Sequence, residues 1–314
     1  MTSLSDDANA TRQTPTPARF TLKLTADKRE TALDLLVSKT SLSKSRLKDA
    51  LNKGAAWLQR KGAGRRRVRR ATTDLYPGDR LELNYDERLL AIVPPLGICV
   101  KDAKDYSVWF KPPGLMSQGT EFGDHCALQR QVEQHVQPQR KVWLIHRLDQ
   151  AAAGLIVFAH TAQCAAALNA QFKQHEVTKE YLADVEGDLR TRATSGELTE
   201  SVDGRAARTL FRVLNYEANR HCTRVEISLE TGRFHQIRQH FAQLGFPLVG
   251  DRRYGGAMEN ELRLLATSLT FQWPRGGAPQ NFHVRDLVSA WLMAHNWYCD
   301  ADTAAMVSGD RPTG

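Results

Sequence analysis

The segment HRLDQAAAGLIVFA (146–159) joins charged and polar side chains directly to a stretch without charge. The apolar run GLIVFAH (154–160), which begins inside this segment, has the length of a strand. It predicts a buried strand. Asp149 then stands at a boundary between loop and strand. A carboxylate next to a core is costly unless it is paired or used. Because a lone Asp in such a place is usually a turn or cap residue, its role depends on a partner elsewhere in the chain.

The chain from about residue 100 onwards carries mostly strand signals, with helices inserted between them. Thr161 suits the N-cap of the first helix, and Gly245 suits the end of the second. Strands are predicted at 105–114, 141–146, 154–160, 179–187, 222–232 and 264–273, and helices at 161–177 and 235–245.

A separate small α+β unit is predicted over residues 20–86, where helices at 29–39 and 42–54 precede short strands. Within it, residues 53–70 contain eight Lys or Arg and no acid. A basic cluster of this density favours a polyanion such as nucleic acid, although a solvated surface gives the same composition. The second helix adds further basic residues, and taken alone it is equally typical of an ordinary surface helix.

Composition sets the broad class of the protein. The 314 residues carry a formal net charge of +8, with 41% hydrophobic and 25% charged residues, as expected for a soluble globular protein. No apolar run is long enough to span a bilayer, so no membrane segment is expected. Residues 1–18 are polar and lack an apolar signal-peptide core, which predicts a disordered tail and a cytoplasmic protein. The five Cys form no CxxC pair, and reduced thiols are expected.

Motifs for three kinds of chemistry are missing from the sequence. His235 and His240 do not share a face of a helix, and no HExxH or comparable ligand set occurs, which argues against a metal-dependent hydrolase. The Gly-x-Ser-x-Gly and Walker patterns are missing as well. The stretch 229–256 instead holds several basic side chains at the start of a helix, where anions are favoured. It is a candidate partner for Asp149, and a basic surface helix is the alternative.

Five motifs, in order and at agreeing spacing, relate the chain to a known family. They are KPPGL (111–115), HRLD (146–149) with Gly154-Leu155, KEYLADVEG (179–187), LETGRFHQIRQHF (229–241) and GFPLVGDRRYG (245–255). Over about residues 105–275 the chain resembles the RluA family of pseudouridine synthases. The resemblance implies an α+β fold with a mixed, mainly antiparallel sheet, flanking helices and an active cleft along the middle of the sheet.

The N-terminal unit resembles an S4-type RNA-binding module, through SLSKSRLKDALNKGAAWLQ (41–59) followed by YPGDRLELN (76–84). An Arg-rich insertion replaces the Asn-Gly hairpin that is usual in that module. The predicted organisation is a tail at 1–18, an S4-like RNA-binding domain at 19–88, a linker at 89–104, a catalytic domain at 105–290 and a tail at 291–314.

The RluA resemblance implies an isomerase that converts uridine in RNA to pseudouridine without a metal or an organic cofactor. Asp149 corresponds to the essential aspartate, and Tyr181 to a tyrosine that can stack on the target base. Arg238 corresponds to an arginine that can hold Asp149 bidentately and keep it ionised. RNA contacts are expected from Arg147, Arg233, His235, Gln236, Lys44, Arg46, Arg65, Arg66 and Arg67.

Ribosomal RNA is the expected substrate, with transfer RNA as the alternative, and the protein is expected to be a monomer. One departure from the family lies at 151–153, where Ala-Ala-Ala replaces an acidic or similar residue followed by Thr-Ser. We expect this change to alter loop stability or substrate preference rather than to abolish catalysis, because Asp149 and Gly154 are present. The competing hypothesis is a non-catalytic RNA-binding protein that has kept the synthase fold.

Overall fold

The structure is a computed structural model that describes residues 17–257, 261–273, 276–285, 291–292, 294–295 and 297. The chain divides into two compact units. The first contains the residues up to 93 together with 120–124, and the second contains 94–119 and the residues from 125 onwards. Within the described ranges, no helix has both the length and the apolar character required to cross a bilayer.

The first unit is built on a small antiparallel sheet with helices packed against it. Its elements are β1 (Arg19–Thr25), β2 (Glu30–Thr31), α1 (Ala32–Lys39), α2 (Lys44–Asn52), β3 (Ala56–Gln59), β4 (Arg66–Val68), β5 (Asp74–Leu75), β6 (Arg80–Asp86) and α3 (Glu87–Ala91). The four-stranded sheet has the order β1-β6-β3-β4, and β2 pairs with β5. The predicted small α+β unit is therefore confirmed.

Local sequence signals account for the two main helices of this unit. Thr31 and Ser43 are the N-caps of α1 and α2, and each side chain accepts a hydrogen bond from the backbone N–H three residues later. Leu36 of α1 and Leu47 of α2 are fully buried in one apolar cluster with β3 and β6, because residues at helical spacing share a face. Helix α1 begins later than predicted because Glu30 and Thr31 form β2.

The second unit contains a ten-stranded sheet, several α-helices and a short 3-10 helix at Leu189–Thr191. Its elements are β7 (Ile98–Asp102), β8 (Tyr106–Lys111), α4 (Leu128–His135), β9 (Trp143–Leu144), β10 (Ala153–Ala159), α5 (Ala162–Lys173), β11 (Thr178–Glu186), β12 (Ser195–Leu198), β13 (Thr209–Glu217), β14 (Cys222–Leu229), α6 (Gln236–Gln243), β15 (Leu264–Phe271) and β16 (Gln280–His283). The order is β12-β13-β14-β11-β15-β10-β8-β7, while β9 also pairs with β10 and β16 with β15. Among the described strands of this sheet, only the short β10–β15 pairing is parallel, so the expected mixed, mainly antiparallel sheet is confirmed.

The strand predicted from GLIVFAH is β10, which lies between β15 and β8 and is buried along its whole length. Leu155 and Val157 pack into one apolar cluster, whereas Ile156 and Phe158 pack into another. Because successive side chains point to opposite faces of a strand, both faces of β10 are covered. This explains why its sequence is a continuous apolar run without alternation. The loop that carries Asp149 is thus attached to a fully buried strand.

The predicted linker at 89–104 differs from the structure. It contains the end of α3 and all of β7, and the second unit already begins at residue 94. Strand β7 is at the sheet edge and is mostly exposed, so its sequence lacks the apolar signal of a buried strand. Elements α4, β12, β13 and β16 also have no counterpart in the prediction, because they are short or half-exposed.

The predicted C-terminal tail at 291–314 also differs where it is described. Leu292 and Trp297 are buried, and the carbonyl oxygen of Trp297 accepts a hydrogen bond from the buried Arg224 at 2.9 Å. These aromatic and apolar residues extend the core of the second unit. Most of this tail and residues 1–16 of the predicted N-terminal tail lie outside the described residues.

Gly154 lies where β10 and β15 approach each other closely. Its φ is +132°, and a Cβ atom there would lie 2.4 Å from the carbonyl oxygen of Ala266. Gly154→Ala is expected to lower the free energy of unfolding by about 2–4 kcal/mol, through overpacking and backbone strain. Gly245→Ala is the matched control, because Gly245 has φ +89° and open space around it, so only strain of about 1–2 kcal/mol is expected. Urea unfolding measures the free energy of unfolding of both variants. Equal destabilisation by Gly154→Ala and Gly245→Ala would show that the close approach of β10 and β15 at Gly154 does not matter for stability.

Candidate active site

The HRLD segment lies in the loop between β9 and β10, where neighbouring backbone holds it. Ser117 Oγ donates a hydrogen bond to the carbonyl oxygen of Leu148 at 2.8 Å and accepts one from the Leu148 N–H at 3.0 Å. The carbonyl oxygen of Gln150 accepts a hydrogen bond from the Gly114 N–H at 2.8 Å. The loop is therefore fixed on both sides of Asp149, whose side chain remains 19% exposed and accessible to a ligand.

Lys111, the first residue of KPPGL, stabilises the same loop. It is fully buried, and its Nζ donates hydrogen bonds to the carbonyl oxygens of Pro112, Leu115 and Gln150 at 3.0, 2.7 and 3.2 Å. Burial lowers the pKa of Lys111 to about 7, and the charge of Asp149 opposes this shift. Three carbonyl oxygens match the three donors of an ammonium group, so this buried lysine ties KPPGL to the HRLD loop.

One arginine joins two carboxylates at the centre of the site. Arg238, in the first turn of α6, donates hydrogen bonds from Nε and Nη2 to the two carboxylate oxygens of Asp251, both at 2.7 Å. Its Nη1 donates to Oδ2 of Asp149 at 3.1 Å. The predicted contact between Arg238 and Asp149 is confirmed. The bidentate pairing expected for Asp149 is instead made with Asp251, and Asp149 receives a single hydrogen bond.

The charges of this trio support one another. Burial opposes the charged form of Arg238, but the carboxylates of Asp251 and Asp149 outweigh it and raise the pKa of Arg238. Arg238 and Asp251 are both buried, whereas Asp149 is partly exposed. Nη1 of Arg238 orients the Asp149 carboxylate through its hydrogen bond to Oδ2 at 3.1 Å. The arrangement therefore provides one oriented, accessible carboxylate.

His235 completes the network from a left-handed backbone conformation. It is the N-cap of α6 with φ +54°, which costs a residue with a side chain roughly 1–2 kcal/mol. Its Nε2 lies 3.0 Å from Nη1 of Arg238 and 3.4 Å from Oδ2 of Asp149, and its Nδ1 lies 3.1 Å from the Tyr254 hydroxyl. Because a guanidinium only donates, Nε2 accepts and the ring is neutral. Burial, the main cause, lowers the pKa of His235 and favours this neutral form.

Tyr181 lies on β11 and packs against the active loop. It is 9% exposed and shares an apolar cluster with Leu148 and Ala152. Burial and, to a lesser extent, the charge of Asp149 raise the pKa of Tyr181, so its hydroxyl is protonated at neutral pH. Lys179 is two residues earlier on the same face of the strand, and burial lowers its pKa.

A cavity of about 640 Å³ is lined by these groups, a volume typical of small-ligand sites. Its lining includes one carboxylate, that of Asp149, and five basic side chains, those of Arg147, Lys173, Lys179, Arg233 and Arg238. This excess of positive charge favours a polyanion. In the part of the chain that the structure describes, no group of three or more His, Cys, Asp or Glu side chains could hold a metal ion.

The structure corrects one predicted RNA contact in this unit. Arg147 and Arg233 are exposed and line the cavity, as an RNA contact requires. Gln236 is only 2% exposed. Its side-chain amide donates to the carbonyl oxygen of Arg208 at 3.0 Å and to Thr209 Oγ1 at 2.9 Å, and its Oε1 accepts from the Arg233 N–H at 3.0 Å. Protein groups already satisfy this amide, so Gln236 stabilises the loop before α6 instead of binding RNA.

Two predicted RNA-binding arginines of the first unit are paired with acids of that unit. Arg65 contacts Glu82 and Glu121, each at 2.7 Å. Arg67 contacts Asp124 at 3.3 Å and is only partly exposed. Because these carboxylates are distant in sequence, the acid-free stretch 53–70 concealed the pairing. These ion pairs bind part of each guanidinium within the unit, and the RNA contacts of Arg65 and Arg67 stay predictions.

The other predicted basic residues of the first unit are more accessible. Lys44 and Arg66 are exposed. Arg46 is exposed as well and forms an ion pair with Glu87 at 3.2 Å, a surface contact that contributes little to stability. These three side chains are predicted RNA contacts of this unit as well.

His146, the first residue of HRLD, has a structural role. Its Nε2 accepts a hydrogen bond from the Val157 N–H of β10 at 3.1 Å, and its ring stacks on Phe172 with centroids 4.7 Å apart. Burial, with a smaller effect of the Lys179 charge, lowers the pKa of His146 to about 3. The ring is therefore neutral at physiological pH and links the active loop to the sheet.

Sequence reasoning assigned no role to Asp251, Lys111 or Tyr254. Asp251 and Tyr254 lie in the quoted motif GFPLVGDRRYG, and Lys111 begins KPPGL. The five donors of the Arg238 guanidinium could have indicated a second acid, because one carboxylate cannot satisfy them all when both groups are buried.

The Ala-Ala-Ala segment at 151–153, where the chain departs from the family, includes the buried Ala152. The Ala152 N–H donates a hydrogen bond to the carbonyl oxygen of Asp149 at 3.2 Å.

Known proteins resemble this chain in both sequence and fold. A family model described as RNA pseudouridylate synthase matches residues 105–243. The Escherichia coli (strain K12) protein "Dual-specificity RNA pseudouridine synthase RluA" is 33% identical over 55% of this chain and 85% of the relative. "Human RNA Pseudouridylate Synthase Domain Containing 1", a solved structure, has a TM-score of 0.51 at 22% identity over 63% of this chain and 89% of that chain, and it shows the fold alone.

A further relative is matched over a smaller share of its length. "Uncharacterized RNA pseudouridine synthase YhcT" of Bacillus subtilis (strain 168) is 35% identical over 57% of this chain. This chain covers 65% of that relative, which is just under two thirds.

His146→Gln is expected to remove part of the pH dependence of stability. The folded-state pKa of about 3 lies below the ordinary value of 6.5, so the unfolded state binds the proton first as the pH falls. The wild type should lose up to about 2 kcal/mol of unfolding free energy through this residue between pH 6.5 and pH 5. Urea unfolding at both pH values measures the loss, and His175→Gln at an exposed position should behave as the wild type. The same pH dependence in wild type and His146→Gln would refute the role of the neutral ring.

Proposed function

This chain belongs to the RluA family of RNA pseudouridylate synthases, and on that premise we propose that it isomerises uridines in structured RNA to pseudouridine. The observation that carries the proposal is the oriented carboxylate of Asp149 in a cavity otherwise rich in basic side chains. In this reaction the bond between N1 and C1′ breaks, a bond between C5 and C1′ forms, and the C5 proton is replaced by one on N1. No oxidant or second substrate is needed.

The carboxylate of Asp149 supplies the reacting group. A carboxylate beside the ribose and the base can attack carbon or accept a proton as the glycosidic bond is remade. Both routes require a carboxylate that is held in place, and Arg238 contacts Asp149 at 3.1 Å. Because Arg238 is itself held by two hydrogen bonds to Asp251, Asp149 is presented in one orientation.

The other groups of the cavity position the nucleotide. Tyr181 can stack on the target base, and its protonated hydroxyl can donate a hydrogen bond to it. A uridine must leave its stack to reach Asp149, at a cost of a few kcal/mol. The exposed Arg147 and Arg233 would contact the phosphates beside the flipped nucleotide, which supports an RNA substrate over a free nucleoside.

Ribosomal RNA is the substrate that we propose, with transfer RNA as the second candidate. The exposed basic residues Lys44, Arg46 and Arg66 of the first unit support contacts to RNA beyond the cavity. An S4-like function of that unit belongs to the same proposal. A cytoplasmic location and a monomeric state stay predictions from the sequence.

Asp149→Ala provides the test against the competing hypothesis of a non-catalytic RNA-binding protein. Total RNA and unmodified transcripts are incubated with each variant, and pseudouridine is mapped by chemical labelling. Asp149→Ala and the isosteric Asp149→Asn are expected to lower the rate by about 10²–10⁴-fold or more, because the reacting carboxylate is lost. Asp203→Asn, at an exposed position, should retain wild-type activity. If the wild type forms no more pseudouridine than Asp149→Ala on any RNA tested, the result supports the non-catalytic hypothesis.

A further inference from the structure

One aromatic ring in the lining of the active cavity is exposed. Phe234 is 48% exposed, whereas Tyr181 in the same lining is 9% exposed. Phe234 lies in the loop immediately before α6, beside the residues that contact Asp149. Single exposed apolar side chains are common on protein surfaces, so exposure alone assigns no function to this ring. The residues around the Phe234 ring provide the further evidence for a function.

The Phe234 ring is supported on one face by a fixed imidazole. It stacks on His235 with ring centroids 3.7 Å apart and an interplanar angle of 22°. His235 is itself held by Tyr254 at 3.1 Å and by Arg238 at 3.0 Å. An exposed side chain normally changes rotamer rapidly, but a ring stacked on a fixed partner keeps its orientation. Phe234, at about half of its full residue exposure, therefore presents a flat, oriented apolar surface.

Two basic residues lie close to Phe234, one in sequence and one in space. Arg233 precedes Phe234 in the chain and is exposed. The guanidinium of Arg253 lies 5.8 Å from the centroid of the Phe234 ring, and Arg253 is exposed as well. That distance is close to the outer limit of a cation–π contact, which is about 6 Å. An aromatic face with basic residues nearby is the combination by which proteins bind single-stranded nucleic acid.

We propose that Phe234 is a stacking platform for an unpaired base next to the target uridine. The inference rests on the proposed function, because it takes RNA as the ligand. Tyr181 is buried beside Asp149 and is available to the flipped base, so an exposed ring in the same lining meets the neighbouring nucleotide. Unpaired RNA bases stack on aromatic rings and on guanidinium planes. Arg253 then covers the free face of the stacked base, and Arg233 binds its phosphate.

The platform acts on binding rather than on bond breaking. A base stacked on Phe234 regains part of the stacking energy that is lost when the RNA opens to release the uridine. The neighbouring nucleotide is thereby anchored, which positions the uridine in front of Asp149. On a substrate RNA, loss of the ring should raise KM and leave kcat nearly unchanged.

Fluorescence of 2-aminopurine in short RNA stem-loops tests the inference with the full-length protein. One probe carries 2-aminopurine directly beside a loop uridine, and the other carries it several nucleotides away. Wild-type protein should quench the adjacent probe. Phe234→Ala should abolish this quenching and weaken binding about 5- to 150-fold, the range expected for one base–aromatic stack, whereas Phe234→Trp should keep both. Tyr76→Ala, which removes an aromatic side chain of similar exposure, 45%, should behave as the wild type.

Three outcomes would overturn the platform. The first is equal quenching and affinity for wild type and Phe234→Ala, and the second is wild-type behaviour of Phe234→Leu, which keeps apolar bulk but has no aromatic face. The third is that the wild type binds neither stem-loop. The Tm of each variant checks folding, and Phe234→Leu decides the matter if Phe234→Ala is unfolded. The assay does not read turnover. A protein that stacks the base but forms no pseudouridine contradicts the proposed function alone, and an active enzyme indifferent to Phe234 contradicts the platform alone.

Discussion

The site depends on one guanidinium shared between two carboxylates. Arg238 is buried with Asp251 through two hydrogen bonds of 2.7 Å, and its remaining nitrogen reaches Asp149 at 3.1 Å. Removing one partner of a buried ion pair leaves an uncompensated charge at a cost of about 3–5 kcal/mol, so the Arg238–Asp251 pair is a stable anchor. Asp149 is therefore oriented and accessible at the same time. The proposed chemistry on uridine requires both properties.

The fold brings these charges together from separate parts of the chain. Asp149 precedes β10, a strand covered on both faces, and Lys111 fixes its loop through three carbonyl oxygens. Arg238 comes from the first turn of α6, and Asp251 from the turn that follows this helix. Because backbone and buried hydrogen bonds set the positions of these groups, little side-chain freedom remains to misalign them. The flat, exposed ring of Phe234 stands on the same network through His235.

Sequence patterns predicted the parts of this arrangement that are encoded locally or in motifs. The apolar run of β10 and the pairing of Arg238 with Asp149 are both present in the structure. Asp251 escaped prediction because its role depends on a three-dimensional contact that no spacing rule encodes. Gln236 was expected to contact RNA, yet its amide is satisfied inside the protein, which no local pattern encodes. Arg65 belongs to a stretch without acids, and its carboxylate partners come from elsewhere in the chain.

The central claim is that Asp251 holds Arg238, which in turn holds Asp149 for reaction. A double-mutant cycle of Arg238→Lys and Asp251→Asn, read as the single-turnover rate of pseudouridine formation, tests it most directly. If the three residues act as one unit, each single variant slows the reaction by about tenfold or more, and the double variant is no slower than the slower single one. Wild-type rates in the single variants would contradict the account, as would two effects that simply multiply.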